Sequence, residues 1–489
     1  MASDPWRRFG EPVSGGSLAV VRIVLGLVGV LSAVRILAYG WIDSLYAGPT
    51  HRFTYVGFGW VPQPSAPVAT GLVVTLAVAS MLLALGWRTR GAAAVLLVTF
   101  LWIELIDVTT YLNHYWFVTL LAALCVVAPV GRALSLDARR SRSRPSTVAR
   151  GWVWLVRFQV GVVYVFAGLA KLQADWLGGV PLRLWLPART GLPLVGPLLD
   201  QPGAARLLAV AGAVFDCSIV PLLLWRRTRL GAWLVLLAFH VATWLLFPIG
   251  VFPWLMIGAA TVFFAPDWPG RLAARIASRL RPTSTPTPTP TVVPAVAVVP
   301  AVAWSPASAP VLAPAAAPVP AVASAAPGSA LSPGHAAAAR WRRRLVGVAA
   351  GGWVAVQLVL PLRHLAYPDD HRWTGQGYRF AWNVLLTERA GSVTFVVTDP
   401  GTGRTWIADP ERLYTPTQLR VMASEPDLIH QAARTIAAEE RARGHDVEVR
   451  VDAWASLNGR PAARLIDPDV DLAAEPLDLW PDPWILPRP

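Results

Sequence analysis

The chain is poor in cysteine, in lysine and in charge. Its two cysteines, Cys125 and Cys217, both fall in apolar runs and no CxxC spacing occurs. That excludes a zinc knuckle and a thiol–disulfide redox site. Lys171 is the sole lysine among 43 basic residues; the rest are arginine. Charged residues make up 15% of the 489 positions, against ~25% in soluble domains. The P-loop, GxSxG, HExxH and dinucleotide signatures are missing as well. A simple cytosolic enzyme is therefore excluded. What the chain does have is apolar residues, at 54%, and 24 tryptophans, the composition of a polytopic membrane protein with much interfacial surface. The net charge of +14 reads as arginine-rich loops at one membrane face, with no call for nucleic acid.

Segments long enough to span, at about 17–25 residues each, fall at 17–38, 67–86, 91–109, 113–130, 152–172, 205–224, 231–247, 251–266 and 345–361. The run from 231 to 266 is broken only by Pro248-Ile249-Gly250, which predicts a turn and two short spans. The first segment exceeds a signal-peptide core and has no small-residue cleavage site after it, so it is expected to be retained. Arginine alternates between loops. Arg88 and Arg90, the Arg132–Arg150 stretch, Arg226–Arg229 and Arg271–Arg281 sit in one set, while 39–66, 110–112, 173–204 and 248–250 are nearly free of it. The positive-inside rule makes the arginine-rich set cytoplasmic. The expected organisation is mainly α, a helical membrane bundle of about nine spans in the plasma membrane. Residues 1–281 carry eight spans, 282–344 a Pro/Ala-rich cytoplasmic linker without a packed core, and 345–361 the last span. Residues 362–489 form an external α+β domain. In that domain Ser392–Thr398 predicts a strand and Pro426–Arg443 a helix with Ser424 as N-cap. Val447–Leu457 and Ala462–Ile466 predict a hairpin through Asn458-Gly459, the strongest short turn signal.

Polar residues inside apolar segments mark function by default. Three clusters qualify: Tyr111–Trp116 (YLNHYW), Tyr164–Trp176 (YVFAGLAKLQADW) and Phe239-His240 with Phe247–Trp254. The topology places the first two at the outer mouth of the bundle, with His240 a turn or two below. A lysine, two histidines and an amide thus converge there. Lysine, unlike arginine, can act as a free base when desolvated. The competing reading is structural: Lys171 snorkels to the interface with Asp175 at i+4, His114 caps a loop, His240 is a satisfied core histidine, and the aromatics anchor the interface. Arg22 and Arg157 read as snorkelling from span ends.

These stretches resemble the vitamin K-dependent γ-glutamyl carboxylase family and its bacterial relatives with an HTTM-type membrane domain. The likeness rests on YLNHYW, AGLAKLQADW (Ala167–Trp176), Phe215-Asp216, the Phe239–Trp254 run and APDWP (Ala265–Pro269). It continues in LPLRHL (Leu360–Leu365), WTGQGYRFAW (Trp373–Trp382), VRVDAWASLNGR (Val449–Arg460) and RLIDPDVDL (Arg464–Leu472). The resemblance implies oxidation of a reduced quinone, vitamin K hydroquinone or a menaquinol type, to its epoxide with O2. This is coupled to addition of CO2 at a peptidyl glutamate, with no metal. It implies Lys171 as the base and His114 as an aid to carboxylation. Asn113, Tyr164 and His240 are implied to contact the quinol, and His364, Trp373, Tyr378 and Trp382 the glutamate side. Membrane lipid, quinone and a glutamate-containing peptide are the implied partners. The chain departs from the family at Thr243, where the family has an amide, and at Phe380-Ala381-Trp382, which lacks a serine. The alternatives are a membrane scaffold or transporter of the same fold, or a quinol epoxidase without carboxylation. A quinone-coupled disulfide oxidoreductase lacks the CxxC it would need.

Overall fold

A computed structural model describes residues 5–141, 145–280 and 333–488. The apolar helices are, in chain order, α1 (Gly16–Ala38), α2 (Ala66–Leu85), α3 (Thr89–Ile106), α4 (Asn113–Val127), α5 (Arg150–Lys171), α6 (Ala204–Leu224), α7 (Arg229–Leu246), α8 (Phe252–Ala259, continued as a 3-10 turn to Phe263) and α9 (Pro333–Val359). Seven, counting Arg344–Ala366 for the last, are long and apolar enough to cross a membrane; α4 and α8 are shorter. Each of the nine segments read from the sequence coincides with one of these helices. The chain is a mainly helical membrane protein with a strand-containing C-terminal region.

The boundaries differ where local chemistry intervenes. The fourth segment ends at Val127 because Ala128, next to Pro129, is extended (ψ 147°), as the residue before a proline tends to be. The break between α7 and α8 turns on Gly250, whose φ is +62°; a Cβ there would meet the Arg35 guanidinium at 2.6 Å. Most of the segment read as a linker, residues 281–332, lies outside the described residues. Its last part is helical, since α9 begins at Pro333. The described residues up to Leu272 and those from Gly352 onward form one compact unit. Arg22 and Arg157 do not snorkel. Arg22 is fully buried and donates to the Leu134 carbonyl at 2.6 Å. Arg157 donates to the Val262, Phe263 and Phe264 carbonyls, closing the open end of the 3-10 turn. Of the two cysteines, Cys125 is buried but Cys217 is exposed.

The C-terminal region is a four-stranded antiparallel sheet in the order β2-β1-β3-β4, built from β1 (Arg389–Asp399), β2 (Arg404–Ala408), β3 (Glu448–Leu457) and β4 (Ala463–Arg464). Alternate β3 residues Val449, Val451, Ala453, Ala455 and Leu457 are buried, the period of two that a half-covered strand requires. They share one core with Leu428, Ile429, Ala432 and Ile436 of α10 (Pro426–Ala442). The β3–β4 turn is the expected one, with Asn458 at φ +56° and Gly459 at +71°. Strand β2 was not foreseen. Ser424 is not the cap of α10 either. Glu425 holds that position without a side-chain bond, and the Ser424 carbonyl accepts from Arg389.

Loops from the bundle are built into this region. Phe53, in the loop after α1, is fully buried in the C-terminal core and stacks on Tyr414 at 4.5 Å. Gln418 donates to the Asp107 carboxylate at 2.7 Å and to the His51 carbonyl at 2.9 Å. Asp175, just beyond α5, accepts from both terminal nitrogens of Arg460 at 2.7 and 2.5 Å and from Asn458 at 2.9 Å. The hairpin turn is thereby fastened four residues from Lys171. Those hydrogen bonds, Arg460 first, pull the Asp175 carboxyl down to about 2. A carboxyl held below its ordinary value stabilises the fold above that value and loses the effect as pH falls through the lowered one. Asp175→Asn is expected to cost about 1–2 kcal/mol near neutrality, the sum being reduced because Arg460 is partly exposed and screened. In thermal unfolding of the detergent-solubilised protein, the gap between wild type and variant should be full above about pH 4. It should narrow as the pH is lowered towards 2.

Candidate functional site

Lys171 is the last residue of α5 and is 6% exposed. Its Nζ lies 2.6 Å from Oδ2 of Asp216, a buried residue of α6. The two helices approach closely because Gly168, one turn before the lysine, faces α6. A Cβ there would meet the Cys217 backbone nitrogen at 3.0 Å and its Sγ at 2.9 Å. Trp176 covers the pair, with its ring 5.2 Å from Nζ and its indole nitrogen donating to the Ala209 carbonyl at 2.8 Å. Lys171 therefore does not reach out to Asp175, which is committed to Arg460 and Asn458. An ion pair removed from water stands only when both partners are well placed, and both side chains here are almost wholly enclosed.

The pair forms part of the wall of a cavity of ≈ 450 Å³. His114, Tyr164 and His240 line the same space, together with Phe215, Phe239 and Phe252. Tyr164 Oη and His240 Nε2 are 2.8 Å apart. The His114 ring lies against Tyr115 and Phe252, at 4.8 and 5.3 Å between centroids. Thr243, where an amide was expected, also lines the cavity, but its hydroxyl donates back to the His240 carbonyl at 3.0 Å. The result is an apolar chamber with a few convergent polar groups, the form that small-molecule sites take. Its apolar walls and hydrogen-bonding groups suit an apolar ring that carries oxygens. Among the described residues no cluster of side chains could hold a metal ion.

The other residues singled out in the sequence fall elsewhere. Asn113 does not line the chamber. Its amide donates to the Asn383 carbonyl at 3.0 Å and accepts from the Tyr111 hydroxyl at 2.9 Å, tying the start of α4 to the C-terminal region. Trp373 is buried in the C-terminal core and donates to the Leu486 carbonyl at 2.9 Å, whereas Trp382 is buried in the bundle core. His364 packs on His371 at 4.1 Å, and His371 lies 5.9 Å from Tyr378. Burial pushes His371 down to about 4, so it is neutral near pH 7. The four residues read as a glutamate side do not share one cavity. The residue that sequence reasoning passed over is Asp216, noted only as part of a motif. The signal was present: the apolar helices hold two carboxylates, Glu104 and Asp216, and an intramembrane carboxylate calls for a named partner.

Comparison with known proteins gives two matches. The family model described as the HTTM domain matches residues 11–268, which hold the whole chamber except its edge at Val384 and Leu385. The model described as the lumenal domain of vitamin K-dependent gamma-carboxylase matches residues 342–489. No solved structure matches the chain.

Lys171 carries the only side-chain amine in the protein, so an apolar amine-reactive reagent has one internal target. Enclosure and the ion pair should make it slow to react. Asp216→Asn removes the charged partner and should raise the rate of modification about tenfold, the scale of one lost charged hydrogen bond. Peptide mapping by mass spectrometry against Lys171→Arg, which leaves only the N-terminus to label, measures the change.

Proposed function

The chain belongs to the HTTM family and carries a vitamin K-dependent gamma-carboxylase lumenal domain, and from that premise we propose that it is a membrane carboxylase driven by quinol oxidation. The observation that carries the reading is the sole lysine, buried and ion-paired in the wall of an apolar chamber. A bound quinol supplies reducing equivalents to O2 on its way to the epoxide, and the energy released allows a glutamyl γ-proton to be removed and CO2 to add.

The chain's own groups have distinct tasks. Lys171 and Asp216 act as one unit with no net charge. Once the ammonium proton has passed to the Asp216 carboxylate the amine is free, and a proton it then takes from a quinol hydroxyl leaves the unit at +1 beside the quinolate, so the two charges compensate in a medium where isolated ones are costly. Tyr164 and His240 hold the opposite end of the ring by hydrogen bonds. His114, at the chamber edge and free of a hydrogen-bond partner among the described residues, serves the carboxylation half. Trp176 and the phenylalanines keep water away from the base. The arginine-poor loops and the domain's description as lumenal support an outer position for the C-terminal region, in the plasma membrane of a bacterial relative.

A second reading, quinol epoxidation without carboxylation, is favoured by one observation: His364, Trp373, Tyr378 and Trp382 do not meet in a cavity with Lys171. One assay separates the two. Purified protein is given a reduced quinone, labelled CO2 and a glutamyl peptide, and epoxide and labelled peptide are both counted. Label in the peptide supports the carboxylase; epoxide alone supports the second reading; neither leaves a scaffold.

In that assay Lys171→Arg should insert normally, because arginine also pairs with Asp216, yet lose about 100-fold or more in epoxide formation, the scale of a removed general base. An arginine variant with full turnover would return the lysine to a structural role. His114→Ala should leave epoxide formation largely intact and lower peptide labelling. Equal loss of both products would remove the division of labour.

A further inference from the structure

The turn that opens α4 contributes to two cavities. His114 lines the chamber above, whereas Tyr111 and Trp116 line a second space of ≈ 320 Å³. Glu104 of α3 lies in its wall, with Tyr55, Phe380 and Arg363. Glu104 is 9% exposed, yet among the described residues it has no hydrogen bond and no ion pair. It is the second of the two carboxylates in the apolar helices, and Asp216, the first, has its lysine. Arg363 is also without a carboxylate. Its Nε is buried with no hydrogen-bond partner, and its one contact of note is with the Phe380 ring at 5.7 Å.

The other charged groups of the cavity are engaged. Arg379 donates to Asp427 at 2.6 Å, Asp482 accepts from Gln376 at 3.0 Å, and Asp478 accepts from the Trp480 backbone at 2.8 Å. Among the described residues, Glu104 and Arg363 are the carboxyl and guanidinium of the cavity left without a hydrogen bond, and they are not paired with each other. An enclosed carboxyl in that state keeps its proton, and a ligand that brings a cation to it and an anion to the guanidinium answers both.

We propose that this second cavity binds a small zwitterion, a primary ammonium a few bonds from a carboxylate or phosphate. The ammonium meets Glu104 among the faces of the aromatic rings, which favour a cation. The oxyanion meets the guanidinium of Arg363, whose planar fork suits carboxylate and phosphate alike. A simple anion would leave Glu104 unanswered, and a simple amine would leave Arg363 so. The chemistry occurs in free amino acids and in the headgroup of an aminophospholipid.

Equilibrium binding to the full chain in phosphatidylglycerol nanodiscs tests this. The probes are L-glutamate and phosphoethanolamine, with ethanolamine and inorganic phosphate as their halves. One zwitterion should bind at least about tenfold more tightly than either half, the scale of one charged hydrogen-bonded contact. Glu104→Gln and Arg363→Gln should each weaken it about tenfold, while Glu104→Gln leaves the weak binding of phosphate unchanged. Phosphatidylethanolamine added to the nanodisc should compete if the natural source is lipid and should not if it is a free amino acid; either result upholds the zwitterion. No saturable binding of either probe, a half that binds as well as the whole, or wild-type affinity in both variants overturns it. Should Glu104→Gln fail to fold, Arg363→Gln, at a partly buried position, decides the matter alone. The assay reads binding, so its failure leaves the quinol reading untouched.

Discussion

A charge placed among apolar helices must be answered by another group, and this requirement organises the protein. The bundle admits few such charges and gives most of them a specific partner. Arg157 closes the carbonyl end of the 3-10 turn after α8. Asp216 takes Lys171. Glu104 is left without a partner among the described residues. The two cavities follow from the last two cases: one is built around a completed pair and the other around an incomplete one. Unpaired, Lys171 would be driven towards the membrane surface, where long cationic side chains go. Its carboxylate keeps it inside, in contact with an apolar chamber.

The same requirement explains how the C-terminal region is held. Its sheet and α10 have a core of their own, but that core includes Phe53 and Val108 from loops of the bundle. Polar fastenings surround the shared core: Gln418 on Asp107, Asn383 on Asn113 and the Arg460–Asn458 grip on Asp175. Each fastening lies at the end of a helix that also contributes to a cavity. A shift of the β3–β4 turn would reach Lys171 through four residues of backbone. The membrane part and the C-terminal part are thereby joined at residues next to the chamber.

The helices were legible because hydrophobic length is a one-dimensional signal, and nine apolar segments appear where nine were read. The β3–β4 hairpin was legible because Asn-Gly at positive φ is a local property. Strand β2 was not, since Arg404–Ala408 is half exposed and lacks the apolar alternation that marks a strand. In the site, Lys171, His114, Tyr164 and His240 were legible as polar residues in apolar runs or as matches to a family. Their partners were not. Lys171 and Asp175 are neighbours on a continued helix, and sequence spacing favours that pair. The chain instead leaves the helix after Lys171, Asp175 turns to Arg460, and the lysine finds Asp216 on another helix. For Asn113 the motif suggested a ligand contact, and the structure shows its amide bonded to the Tyr111 hydroxyl and the Asn383 carbonyl, away from the chamber lining.

If Lys171 is the base, as proposed, the pairing changes what that base can be. A solitary amine in an apolar pocket is a base only while it is neutral, and it becomes a bare cation once it has accepted a proton. The Lys171–Asp216 unit can pass the ammonium proton to the carboxylate and present a free amine with no net charge, and after the transfer it carries one positive charge, next to the anion it has created. The chamber thus contains balanced charge at both stages, and no step requires an isolated ion in hydrocarbon. Arginine could complete the first stage, since it too would pair with Asp216, but its guanidinium never yields the proton. That asymmetry gives a physical reason for a lysine at this one position in a chain that uses arginine everywhere else.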